Sequence, residues 1–533
     1  DLAADTFSIG VSRGEIIAGN FFQANGSFAI EGRSQPVTLA DGSTVTADVL
    51  TIGGEELSVF AGTRVGTVEA TGVSVENVAF AVALVSEPGE NSRRWLTAEG
   101  TGQSASVVGI TGVTGTLTDM AMSLNLTADD ESLIDYGAEK TILTVATGVT
   151  GVTLSADGSA GRIIRASGTG ALDVEGSLAV SGTVGVSLDG SSVVLVGTDI
   201  DAEFGSADAE NFFHVKNASF GLLSTDSETA FELTGGLSAS IAGFASVSAD
   251  RVVAQYTSAN TTIVQGRTLD TGTADYSFAN DIAKDTVSFA VEGFSGEVAD
   301  FVTLRGDVGF RSDDAGFVAV GRAMTATLDG GSVASLSATD GDFGLRMAAG
   351  ETALELSAKN FQFQVANLPE ATADTVFFRY TSSGSEVQEN ETLAVADVSY
   401  TFSQAIAANT VAFSFTRFET ALSDVLTLSG DLGFAKSGDD LVALGVDINV
   451  ILAAGSVAVS ATDGTFGLIT NDSGLAFELQ GGFSASIGSL LDGSADRTVV
   501  QYASSGVSIT SGLRLAIGAA EYTFESDIAA DTF

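Results

Sequence analysis

The chain has 533 residues, 44% of them hydrophobic, no cysteine, and 68 acidic against 22 basic side chains, for a net charge of −46. That length exceeds one compact core and calls for several modules or a stack. The charge opposes nucleic acid and anionic membrane surfaces, and the lack of thiols removes disulfides, thiolate metal sites and cysteine nucleophiles.

From the N-terminus, the longest apolar stretches, such as Val78 to Val85, fall far short of the roughly 20 residues a membrane-spanning helix needs, so no helical membrane span is expected. Val75-Glu76-Asn77-Val78-Ala79-Phe80 is answered 140 residues later by Val215-Lys216-Asn217-Ala218-Ser219-Phe220. From there the repeat tightens. Phe220-Gly221-Leu222, Phe343-Gly344-Leu345 and Phe466-Gly467-Leu468 recur at steps of 123, and two tyrosine series, Tyr256, Tyr380, Tyr502 and Tyr276, Tyr400, Tyr522, recur at 124 and then 122. Such a period marks a repeat architecture. Four modules tile the chain, at 1–137, 138–280, 281–404 and 405–533, the last including the start of a further repeat. The closing Asp527-Ile528-Ala529-Ala530-Asp531-Thr532-Phe533 repeats the opening Asp1-Leu2-Ala3-Ala4-Asp5-Thr6-Phe7 with one change.

The local pattern is strand. Val442, Leu444, Val446, Ile448, Val450 and Leu452 alternate with smaller or polar residues, and Leu475, Phe477, Leu479, Phe483 and Ile487 lie opposite Glu478, Gln480 and Ser484. The apolar set is expected to be the buried one. Breaks at Asp189-Gly190-Ser191, Ser312-Asp313-Asp314-Ala315-Gly316 and Asn471-Asp472-Ser473-Gly474 read as hairpin turns, since Asn, Asp and Gly accept the backbone angles such turns need. With only three prolines, nothing interrupts the ladders. The expected fold is all-β: an elongated repeat of long amphipathic strands, with antiparallel hairpin units stacked into a tube, sandwich or β-solenoid-like fibre. Phenylalanine is expected inside and tyrosine hydroxyls on polar partners.

Motifs that carry chemistry are few. Asp270-Thr271-Gly272-Thr273 has the form of an aspartic-protease loop, but the matching stretches near Ala394 and Ala516 hold no second carboxylate loop to share a proton. Arg305-Gly306-Asp307 sits in alternating strand sequence, with Ser429-Gly430-Asp431 as its counterpart. His214 is the sole histidine and builds neither a zinc site nor a repeated triad. No catalytic or cofactor-binding residue is assigned. The one ligand considered is calcium, through the paired turn acids Asp313 with Asp314 and Asp439 with Asp440, and through Asp199, Asp201 and Glu203. The competing reading of these acids is a solvated surface that stops strand edges from pairing with neighbours.

Gly72-Val73-Ser74 through Phe80-Ala81-Val82-Ala83-Leu84, then Arg94-Trp95, Val108-Gly109-Ile110-Thr111-Gly112-Val113 and Arg165-Ala166-Ser167-Gly168-Thr169-Gly170, resemble repeats of giant bacterial cell-surface or secreted proteins, large repetitive and adhesin-like. The resemblance implies an extracellular or cell-surface location and a role in adhesion, sheath or matrix, and transfers no site residue. The expected function is a non-catalytic extracellular fibre, stalk or filament segment. Its partner is itself, by end-to-end stacking, or a longer parent chain, and not nucleic acid. Alternatives are an adhesin-type module for a glycan or protein and, from the one-sided strands, a lipid-carrying groove or an outer-membrane barrel.

Overall fold

In the computed structural model, the described residues are 6–18, 22–64, 66–89, 92–110, 113–137, 140–174, 178–189, 192–204, 212–241, 245–272, 274–298, 302–329, 334–348, 351–365, 370–382, 384–422, 426–437, 440–471, 473–517 and 520–532. Among them there is no α-helix, and long strands pair antiparallel throughout, so the all-β class and the stacking of long strands hold. Two compact units are present, Asp1–Ala239 with Ala254–Thr286, and Ser240–Val253 with Val287–Phe533.

The first unit opens with six long strands: β1 Phe7–Ala18, β2 Phe22–Thr38, β3 Thr44–Thr63, β4 Thr71–Ser86, β5 Arg94–Val108 and β6 Val113–Leu126. An irregular insert follows, holding the short pair β7 Thr144–Val145 and β8 Val152–Thr153. Five further long strands, β9 Ile163–Val174, β10 Leu178–Asp189, β11 Ser192–Phe204, β12 Phe212–Ser224 and β13 Thr229–Ile241, lead to β14 Ala245–Thr257, and a second insert carries β15 Thr268–Asp270 and β16 Asp275–Ser277. The second unit repeats the scheme twice. Strands β17 Val287–Val298, β18 Val302–Asp313, β19 Gly316–Asp329, β20 Ala334–Ala348, β21 Glu351–Val365 and β22 Ala371–Thr381 precede the insert with β23 Thr392–Val395 and β24 Val398–Thr401. Strands β25 Thr410–Leu422, β26 Leu426–Ser437, β27 Asp440–Ala454, β28 Val457–Asn471, β29 Gly474–Ile487 and β30 Leu491–Ala503 precede that with β31 Arg514–Ile517 and β32 Ala520–Thr523.

The ladder does not stop at an insert. After the first insert the chain returns to pair β9 directly on β6, and after the third it pairs β25 on β22. The expected turns close as hairpins: Asp313 opposes Gly316, Asn471 opposes Gly474, and Asp189 opposes Ser192, with residues 190, 191 and 472 outside the described set.

Many of the long strands carry a bulge near mid-length, where one extra residue kinks the strand and reverses its alternation. Carboxylates on neighbouring strands fasten these kinks. The Gly293 N–H (φ 62°) donates to Asp307 at 2.9 Å, that of Ala323 (φ 51°) to Asp342 at 2.9 Å, and that of Arg417 (φ 47°) to Asp431 at 2.6 Å. The Arg305-Gly306-Asp307 tripeptide therefore lies inside β18, with Asp307 also paired to Arg322 at 2.8 Å. The kink at Asp447 (φ 52°) splits the alternating run from Val442. Val442 and Leu444 pair with Ala435 and Gly433, but Val450 and Leu452 pair with Leu428 and Leu426, on the other face.

Each insert lies over one face of its six strands, and the hydrophobic cores form there. In the second unit one core joins Val320 and Ala353 of the strands to Val387, Val395, Tyr400 and Phe402, and another joins Leu444 and Ala476 to Ile509, Tyr522 and Phe524. Each of Phe278, Phe402 and Phe524 is at most 1% exposed, contributing about 1.5–3 kcal/mol on burial.

The face away from the inserts corrects the expectation for β29. Ala476, Glu478 and Gln480 are buried, while Leu479, Phe483 and Ile487 are 41%, 45% and 42% exposed. Phenylalanine accordingly sits on both sides: Phe289, Phe310, Phe413 and Phe434 are exposed on this second face.

Candidate functional site

The most chemically distinctive groups lie under the inserts. Glu232, Glu355 and Glu478 each stand mid-strand, at steps of 123, between two apolar neighbours on the opposite face, and each has no exposed surface. The insert supplies their partners. The Tyr276 hydroxyl donates to Glu232 at 2.8 Å, Tyr400 to Glu355 at 2.6 Å and Tyr522 to Glu478 at 2.6 Å. Three residues beyond each tyrosine a backbone N–H donates to the same carboxylate oxygen, from Ala279 at 2.7 Å, Ser403 at 3.0 Å and Glu525 at 3.3 Å. The adjacent strand supplies the third donor: Gln255 at 2.6 Å, Arg379 to Glu355 and Gln501 to Glu478.

The neighbouring glycine explains how a tyrosine reaches so deep. A Cβ on Gly221, Gly344 or Gly467 would lie 2.5, 2.3 or 2.3 Å from the ring of Tyr276, Tyr400 or Tyr522, so the Phe-Gly-Leu repeat exists to seat these rings. Two residues on, Phe278, Phe402 and Phe524 meet the same tyrosines edge to face at centroid distances of 5.7, 5.4 and 5.1 Å.

Burial pushes the Glu355 carboxyl up, but the Ser403 N–H, the Tyr400 hydroxyl and the Arg379 guanidinium outweigh it and hold the group below its ordinary value. Glu478 is likewise lowered: burial opposes ionisation, and donors from Tyr522, Gln501, Gln480 and the Glu525 backbone prevail. Burial and the adjoining carboxylate push the Tyr400 and Tyr522 phenols far up. Each carboxylate has no exposed surface and is surrounded by fixed donors. Its chemistry is to fasten the insert to the sheet.

The first module keeps the place and loses the charge. Thr97 and Asn125 oppose each other on β5 and β6, as Glu355 and Arg379 do on β21 and β22. Thr97 donates to Asn125 at 2.9 Å, and Asn125 donates to the Ile134 carbonyl at 2.9 Å. Tyr136, 140 residues before Tyr276, is 4% exposed, its hydroxyl makes no hydrogen bond of good geometry among the described residues, and burial, partly offset by the neighbouring Thr97 hydroxyl, pushes its phenol up to about 12.

Among the described residues no three His, Asp or Glu side chains form a set able to hold a metal ion. Asp313 pairs with Arg311 at 2.9 Å and accepts the Ala315 N–H at 2.9 Å within its turn; Asp314 follows it there. Asp439 lies outside the described residues, as does the side chain of Asp440. Asp199 is exposed at a bulge (φ 53°), and Asp201, which bonds His214, lines with Glu203 and Asp173 a hollow of about 190 Å³. Asp270 accepts the Gly272 N–H at 2.6 Å in the hairpin turn between β15 and β16, with Thr273 outside the described set. The protease-like loop is a turn of the insert.

The glutamates went unassigned in the sequence reading, although a signal was present: an acid in the middle of an apolar strand, as in Phe231-Glu232-Leu233 and Phe477-Glu478-Leu479, recurring with the tyrosine. No family model and no curated protein matches the chain.

Proposed function

We propose that the chain is a non-catalytic structural segment of a repetitive extracellular protein, in which six-strand blocks extend a sheet and clamped inserts stiffen it. One observation carries this reading: the ladder passes over an insert without a break, β9 on β6 and β25 on β22, so a further block adds by the contacts that already join blocks inside each unit. The buried Glu–Tyr clamps support it too. They recur with the repeat and join insert to sheet rather than face solvent, which is what a spacer under tension requires and an enzyme does not. The surface acids give solubility to a long β-rich object.

At about 4.8 Å per strand, six strands advance the sheet by roughly 29 Å. Electron microscopy of the native material is expected to show fibres or stalks with an axial repeat near that value. Discrete globular particles without such a repeat overturn the proposal.

A further inference from the structure

The face away from the inserts is apolar from strand to strand. In the first unit one line of directly opposed residues runs Val11, Phe28, Gly54, Phe80, Gly100, Met122, Ala166, Val186, Leu195, Leu222, from β1 to β12, and contains no polar side chain. In the second unit the corresponding line is Val291, Val308, Gly321, Phe343, Leu356, Phe378, Phe413, Phe434, Ala443, Leu468, Phe477, Tyr502, whose one polar atom is the tyrosine hydroxyl. In a chain with 68 acids, this exclusion of charge is a property of the face. A single block of six strands about 12 residues long offers roughly 29 by 40 Å, several times the apolar patch an ordinary soluble protein exposes.

On this face the first unit has a groove of about 480 Å³. Its floor is side-chain-free at Gly168 and Gly170, and its walls are Val73, Leu117, Leu172 and Val184, exposed by 43%, 37%, 39% and 40%. Its size is that of a small-molecule site, and its lining is apolar apart from Ser106, Thr116 and Ser181.

We infer that this groove and the apolar face around it bind the aliphatic chains of single amphiphiles, with the fatty acyl chain as the ligand class. Charge decides between occupants. A second copy laid face to face would bring two chains of net charge −46 within about 10 Å, and an anionic bilayer would meet the same repulsion. A single fatty acid brings one negative charge rather than tens, its acyl chain covers the apolar surface, and its head group stays in water at the open side of the groove. The inference goes beyond the structural role and stands whether or not the chain forms a fibre.

The test uses the lipid-stripped chain and cis-parinaric acid, a fluorescent 18-carbon fatty acid. Saturable binding is expected, displaced by palmitate. Val184→Asp, which places a charge on the groove wall, is expected to weaken it at least tenfold. Thr169→Asp, the same charge on the opposite face where Thr169 meets Thr183 at 2.7 Å, is expected to leave it within twofold. Circular dichroism establishes that both variants fold. Should Val184→Asp fail to fold, a photoactivatable 16-carbon fatty acid on the unaltered chain decides: crosslinks confined to Val73, Leu117, Leu172 and their neighbours on that face support the inference. No saturable binding, equal loss in both variants, crosslinks spread over both faces, a face-to-face dimer that shields the groove, or binding to phosphatidylcholine vesicles alone would each overturn it.

Discussion

Replacing Glu355 by alanine tests the clamp most sharply, because its partner Arg379 is charged and its side chain is only 8% exposed. The substitution strips an acceptor from the Tyr400 hydroxyl, the Ser403 N–H and the Ser403 hydroxyl, and leaves a guanidinium with two remaining acceptors, Gln404 at 3.0 Å and Ser403 at 3.0 Å. Breaking a buried pair from one side costs about 3–5 kcal/mol, because the surviving charge stays desolvated. If that cost falls on docking of the insert, its opening constant rises by about 100- to 3,000-fold. Hydrogen exchange reads this directly at Val387 and Ile406, whose amides donate to each other's carbonyls at 3.0 Å across the insert. Exchange at both is expected to accelerate by that factor in Glu355→Ala, and to return most of the way in the double variant Glu355→Met with Arg379→Met, where neither charge remains to be satisfied. Exchange within threefold of the unaltered chain, or a double variant as fast as the single one, refutes the clamp.

Three further outcomes follow from the same geometry. Tyr522→Phe is expected to lose about 1–2 kcal/mol by leaving Glu478 short of a donor, whereas Tyr136→Phe, which removes a buried hydroxyl with no hydrogen bond of good geometry among the described residues, is expected to be neutral or stabilising; urea unfolding of the two variants compares them. Gly467→Ala puts a methyl 2.3 Å from the Tyr522 ring and is expected to cost about 1–3 kcal/mol, with proteolysis appearing first within residues 504–532. Stability should fall at both ends of the pH scale. Glu355 and Glu478 are lowered in the folded chain, so their contribution is present above the unfolded value near 4.5 and lost as pH falls through the lower folded values. Tyr400 and Tyr522 are raised, so theirs is complete below about 10 and lost as pH rises toward the folded values. A Glu355→Gln, Glu478→Gln chain should show a shallower acid loss in urea titrations between pH 7 and 3.

Much of the fold was legible because period-two alternation and turn chemistry are local. Leu475 through Ile487 forms a strand as its pattern requires, and the Asp313 and Asn471 turns close where Asp, Asn and Gly fall. Alternation divides a strand into two faces without saying what covers either. The sequence reading gave the interior to Leu479 and Phe483, but the insert claims Ala476, Glu478 and Gln480, because Tyr522 and its neighbours satisfy the carboxylate and Phe524 and Ile528 supply the apolar cover. The reversal within β27 escaped for a related reason. A bulge at Asp447 needs one aspartate with positive φ, and in sequence that residue is one more polar position in an alternating run. The tyrosines divide the same way: Tyr276, Tyr400 and Tyr522 find polar partners as expected, while Tyr256 and Tyr380 stand on the bare face, 43% and 36% exposed.

Because the chain has no cysteine, single thiols report the two faces cleanly. In lipid-stripped protein, Leu479→Cys and Gln480→Cys place a thiol on adjacent residues of β29, one facing away from the insert and one beneath it. Labelling by a soluble maleimide is expected to be fast at position 479 and at least a hundredfold slower at 480. Protection at 479 with ready labelling at 480 would mean that the apolar side is the interior after all, and would contradict the account at its root.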